Sequence, residues 1–149
     1  MIPAMIEKLE FYHGAAIVRI VEDPRCLSIQ KHETGYVING NRLLVLKYTT
    51  KAHSPWRFTV SVEDQARIAQ AARSFNVCVL GLVCGGDGVC AIRWERLNTL
   101  LGDGAGWLAT RRVFSGCYAV SGSRGNLDKK VALNQWPGIL FEETGADDF

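Results

Sequence analysis

Residues 76–85 read NVCVLGLVCG. A run this apolar has no polar face to offer water, so as a strand it must be covered on both sides. That requirement constrains the chain more than any other feature. It calls for a central strand inside a layered domain, and the rest of the sequence must supply the layers. The turn Gly85-Gly86-Asp87-Gly88 follows, and VCAIRW (89–94) returns as its hairpin partner. ERLNTLLG (95–102) then reads as a short helix ended by Gly102.

The elements ahead of this strand follow from their periods. In residues 5–23, Met5, Leu9, Tyr12, Ala16 and Ile20 recur at spacings of three and four, which is helical, and Pro24 stops the element. CLSIQKH (26–32) alternates like a strand. Asn39-Gly40 is a strong hairpin signal joining YVI (36–38) to RLLVLKYT (42–49). WRFTVS (56–61) reads as one more short strand. Ser61 and Asp64 resemble a capping box at the head of a second helix, with aspartate in place of glutamate. Ile68, Ala72 and Phe75 centre its buried stripe, which Val62, Ala66 and Ala69 widen on one side. Further on, 111–123 and 130–136 each read as a strand. The expectation is an α/β (α+β) domain over residues 1–141, with a single mixed β-sheet flanked by helices and extra C-terminal strands. Residues 142–149 form an acidic tail expected to be mobile.

The charge is uneven. The net charge is +2, yet all 17 Lys and Arg lie at or before Lys130, and four of the 15 acids fall in the last eight residues. Residues 1–141 therefore carry 17 − 11 = +6, a body suited to an anionic partner. The five cysteines (Cys26, Cys78, Cys84, Cys90, Cys117) form no CxxC pair and are odd in number, so a disulfide framework is not expected and a reducing, cytoplasmic setting is. Cys84 and Cys90 flank a turn and read as small buried apolar residues. Neither a signal-peptide pattern nor an apolar run of roughly 20 residues is visible, so no membrane partner is expected.

The order helix–strand–strand–strand–helix–strand over residues 5–84 resembles the restriction-endonuclease-like, or PD-(D/E)XK, nuclease family. The resemblance is sharpest at VLKYTTK (45–51), where Lys47 stands in place of the family's strand lysine and is followed by Tyr48, Thr49 and Thr50. What the resemblance implies is a scaffold for nucleic acid. It also implies two carboxylates holding Mg²⁺, which would polarise the scissile phosphate and activate water. The family pattern puts one carboxylate at position 45, where this chain has Val45, and another near the preceding turn, where it has Asn39 and Asn41. Valine offers no ligand and asparagine a single neutral carbonyl. Glu10 and Glu33 are candidates for migrated acids, although nothing in the sequence aims them at Lys47. No metal, cofactor or catalytic residue is therefore assigned.

What remains is a basic segment, residues 42–57. Lys47, Thr49 and Lys51 share one face of an extended chain, and His53 and Arg57 follow, interleaved with Tyr48 and Trp56. Cations of this kind contact phosphates, and aromatic faces stack bases. The primary expectation is a non-catalytic protein that binds DNA, RNA or another anion through Lys47, Thr49, Lys51, His53 and Arg57. Alternatives are a protein–protein accessory module, homo-oligomeric or with another partner, and then an active metal-dependent nuclease. An edge-blunting role for Lys47 competes with all of these. Arg111-Arg112 and Arg124…Lys129-Lys130 are secondary basic spots, and Asp87 reads as a turn former.

Overall fold

The computed structural model describes residues 5–102, 104–113 and 116–142, the side chain of Asn98 excepted, so the acidic tail expected over 142–149 lies, beyond Glu142, outside the described residues. Helix α1 (Lys8–Glu22) leads into strands β1 (Ile29–Lys31), β2 (Tyr36–Ile38) and β3 (Arg42–Thr49). Next come β4 (Trp56–Val60), helix α2 (Val62–Ala72), β5 (Val77–Cys84), β6 (Gly88–Arg93) and helix α3 (Trp94–Leu101). Strands β7 (Gly106–Val113), β8 (Cys117–Gly122), β9 (Gly125–Asn126) and β10 (Val131–Ala132) follow, and two 3₁₀ turns close the described chain.

The mixed α+β class is as expected from the sequence. The strands, however, divide into two five-stranded sheets rather than one. The first runs β1-β2-β3-β5-β6 and the second β10-β8-β7-β4, with β9 also on β8. Strand β5 is central, as its composition demands: it pairs parallel with β3 over eight residues and antiparallel with β6. Its two faces enter different clusters. Val77, Val79 and Val83 pack toward α1 and the C-terminal 3₁₀ turns, whereas Leu80, Leu82 and Cys84 face α2, α3 and the second sheet. Gly81 lies on the α1 side, where a Cβ would come within 2.8 Å of Leu46 and 3.4 Å of Leu44.

The division into two sheets has a physical cause in β4. Trp56, Phe58 and Val60 point inward and are buried, while Arg57 and Thr59 point out. Such a strand suits a sheet with one face on the core and one in solvent, and its apolar side covers the second face of β5. It pairs instead with β7, about fifty residues on. The segment 111–123 is two strands, not one, and Gly116, at a φ of +70°, sits in the connection between them. Of 130–136, Val131 and Ala132 alone pair as a strand, and Leu133–Gln135 form a 3₁₀ turn.

The helices are narrower in their burial than their periods imply. In α1, Ala16 and Ile20 are buried, while Leu9, and Met5 ahead of the helix, are exposed. In α2, Ile68 is buried and Ala71 and Ala72, with Phe75 just beyond the helix, pack partly against the core, but Val62, Ala66 and Ala69 face solvent. The widening of the stripe falls on the opposite side from the one expected.

Candidate functional site

Lys47 lies on β3, which is inside the first sheet, between β2 and β5. It is not an edge strand by order. The β2 ladder, however, stops at Leu44, so on that side Val45–Thr49 run past their neighbour. What occupies the Lys47 ammonium is a carboxylate: Nζ donates to Oδ2 of Asp64 at 3.1 Å, with the two side chains 23% and 27% exposed. Asp64 is in the first turn of α2, where its own amide donates to the Ser61 hydroxyl at 3.0 Å. Arg67 also approaches it, at 3.6 Å. Half of the expected capping box is thus present, and the aspartate side chain turns to Lys47. The sequence carries this residue as a cap, and a bond across seventeen residues leaves no signal in local spacing.

A groove of about 330 Å³ opens beside Lys47. Leu9 and His13 of α1, Lys47 and Tyr48 of β3, and Arg57 and Thr59 of β4 line it. Among the expected binding residues it therefore brings together Lys47 and Arg57. The Arg57 guanidinium is held over the Trp107 ring, 4.4 Å from its centroid. Among the described residues no carboxylate pairs with it.

Thr49, Lys51 and His53 lie outside the groove. Strand β3 ends at Thr49, so the alternation that would keep Lys51 on the face of Lys47 stops there. The Thr49 hydroxyl accepts the Lys51 amide at 3.4 Å, and the Lys51 ammonium donates to the Pro55 carbonyl at 3.0 Å. The Lys51 carbonyl in turn accepts Trp56 Nε1 at 2.9 Å. These bonds shape the turn into β4. His53 is exposed on that turn.

His13, which sequence reasoning did not select, is part of an aromatic cluster. Its Nδ1 is 3.0 Å from the Tyr36 hydroxyl, and its ring meets Tyr36 and Tyr48 edge to face. Tyr48 stacks on Tyr12 with centroids 5.0 Å apart. Burial, and then the charge of Lys31, lower the His13 pKa from its ordinary value, so at neutral pH it brings hydrogen bonding rather than charge to the groove.

The positions that would carry metal ligands on a nuclease-like scaffold are otherwise engaged. Val45 is buried in the core. Beside it, a Cβ on Gly35 would run into the Leu44 carbonyl, so no side chain fits there. Asn39 accepts the amides of Leu27 at 2.6 Å and Ser28 at 3.2 Å and donates to the Arg25 carbonyl at 2.9 Å. It ties down a loop at the opposite end of β3 from Lys47. The Asn41 side chain accepts from Arg42 at 2.6 Å. Glu10 accepts the Glu7 amide at 3.1 Å in the helix cap, and Glu33 sits on the β1–β2 turn beside Arg67 and Gln70. Among the described residues no three His, Cys, Asp or Glu side chains gather as a ligand set.

Asp87 proves to be more than a turn former. The buried Tyr118 hydroxyl donates to its Oδ2 at 2.7 Å, and Arg112 approaches it at 3.6 Å. Nearby, Cys84 Sγ lies 3.2 Å from the Thr110 hydroxyl. Burial pushes the Cys84 thiol up to about 11, and Cys90 well above its ordinary value, so neither is a nucleophile at neutral pH. This cluster joins the two sheets. No family model, curated protein or solved structure matches the chain.

Proposed function

We propose that this chain is a non-catalytic binding protein for nucleic acid or a comparable polyanion, acting through the groove between β3 and β4 on a restriction-endonuclease-like scaffold. The observation that carries the reading is Arg57: an exposed guanidinium with no carboxylate partner among the described residues, lining the same groove as Lys47. A cation already paired gains little from an incoming phosphate, whereas an unpaired one exchanges small counterions for it. Arg57 is therefore the leading contact. Lys47 contributes to the extent that a phosphate competes with Asp64.

The scaffold part of the reading is supported by the order α1, β1, β2, β3, α2, β5, in which β4 of the second sheet is inserted between β3 and α2, and by the parallel pairing of β3 with β5 in the first sheet. The absence of a catalytic role is supported by the residue types around Lys47: Val45 on the same face of the strand with Gly35 against it, and, among the described residues, one paired carboxylate, Asp64, which two cations already share. The test is fluorescence anisotropy with labelled oligonucleotides at 50 and 200 mM salt. Binding is expected to weaken with salt, and Arg57→Ala to lower affinity about tenfold. Binding that ignores both salt and Arg57 would remove this reading.

A further inference from the structure

Strand alternation sends Trp56, Phe58, Val60, Leu108, Thr110, Tyr118 and Val120 into the core, and so turns Arg57, Thr59, Trp107, Ala109, Arg111, Ala119 and Ser121 to the outer face of the second sheet. Register places them in rows. Arg57 is opposite Ala109, which is opposite Ser121, and Arg111 is opposite Ala119. The middle of this face is therefore floored by Ala109, Ala119 and Ser121, none longer than one heavy atom beyond Cβ. The recess that results holds about 400 Å³, bounded by Pro55 on one side and the Asn126–Lys130 segment on the other. Ala109, on its floor, is the cross-strand neighbour of Arg57, so one cross-strand step separates the recess from the Lys47–Arg57 groove.

The charges of this face are sorted by direction. Arg111 and Arg112 are adjacent, yet Arg112 turns to Asp87 and lies over the Tyr118 ring at 6.0 Å, while Arg111 is exposed. Among the described residues neither Arg111 nor Lys130 has a carboxylate partner, and both line the recess. Strand spacing and rise put the Cα atoms of Arg57 and Arg111 roughly 8 Å apart. Ser121 and Asn126 add uncharged hydrogen-bonding groups between the cations, and Asp128 is the acid of this lining. At the Arg57 end stands Trp107, half-exposed beneath the guanidinium.

We propose that this recess extends the Lys47–Arg57 groove into a track for single-stranded nucleic acid, with Arg111 and Lys130 as phosphate contacts. The proposal rests on the groove reading and adds its substrate class. A single strand is favoured over a duplex because a recess of this volume admits a nucleotide or two.

The test uses the full chain with labelled dT12 and U12 and a twelve-pair duplex. The variants are Arg57→Ala, the pair Arg111→Ala/Lys130→Ala, and Arg111→Lys/Lys130→Arg as a charge-preserving control. The Ala pair is expected to weaken the single strands about tenfold or more and to reduce the salt slope by about 1.4, two phosphates at about 0.7 each. The control should keep most of the affinity, and the duplex should bind more weakly than dT12. Unchanged dT12 and U12 binding in the Ala pair, with Arg57→Ala still impaired, would overturn the track and leave the groove standing. A duplex bound as tightly as dT12 and equally sensitive to the Ala pair would overturn the choice of a single strand. Wild-type protein that binds none of the three at 50 mM salt would remove the groove reading itself, and the track with it.

Discussion

Two titratable side chains at the groove are held away from their ordinary behaviour, and each predicts a different part of the pH profile. For Asp64, burial is the largest influence and pushes the carboxyl up. The hydrogen bond and charge of Lys47, with the amide and hydroxyl of Ser61, outweigh it, and the net direction is down. Its contribution to stability is therefore complete above the unfolded value of about 3.9 and disappears as pH falls through the lower folded value. His13 acts closer to neutrality. Burial and Lys31 lower its pKa, so in the window below about 6.5 the unfolded chain binds a proton that the folded chain refuses. Stability is complete above that window and falls as pH drops through it. Urea midpoints are accordingly expected to fall between pH 7 and pH 5.5 in the wild type and to stay flatter in His13→Gln. Parallel profiles for the two proteins would remove His13 as the cause. None of this was legible beforehand. His13 carries no motif, and its partners Tyr36 and Tyr48 come from strands that sequence spacing does not bring to the helix.

At the scale of elements, the β2–β3 hairpin shows what short-range signals reach and where they stop. Asn39-Gly40 marks a turn because both residues adopt positive φ, +54° and +76°, which L side chains with a Cβ resist. That much was readable. The Asn39 side chain also makes three hydrogen bonds to residues 25–28, and these anchor the chain leaving α1 to the start of β3. The dipeptide alone says nothing of that anchor. Asn39→Ala is expected to lose about 2–3 kcal/mol, combining backbone strain with the lost bonds. Asn39→Gly relieves the strain but not the lost bonds, so it should be milder by about 1 kcal/mol. Chemical denaturation of the three proteins measures both parts. Equal losses in the two variants would mean that the turn conformation contributes nothing. The same contrast explains the misread segment 111–123. Its composition is strand-like throughout, and the break at Gly116 is a backbone event that alternation on either side does not reveal.

At the scale of the whole molecule, sequence reading located the central strand and most of its neighbours, because burial on both faces is written into residues 76–85. It did not locate the second sheet, because partnership between β4 and β7 depends on what each can cover rather than on any local pattern. That partnership has a thermodynamic consequence. One core cluster takes Leu43, Leu80, Leu82 and Ile92 from the first sheet and Phe58, Leu108, Tyr118 and Val120 from the second. Leu108 is fully buried there. The Tyr118–Asp87 and Cys84–Thr110 contacts cross the same boundary. Neither sheet can open without exposing the other's apolar face, so the two are expected to unfold together in a single transition. In a Trp94→Phe/Trp136→Phe background, tryptophan fluorescence reports on the second sheet through Trp56 and Trp107, while far-UV circular dichroism also follows the helices. The two urea curves should coincide. Leu108→Ala, at about 2–5 kcal/mol for a buried leucine, should shift both midpoints by the same amount. If fluorescence instead moves alone, leaving the helical signal at its original midpoint, the second sheet is an independently melting layer. The recess on its outer face would then belong to a part of the molecule that opens without the rest.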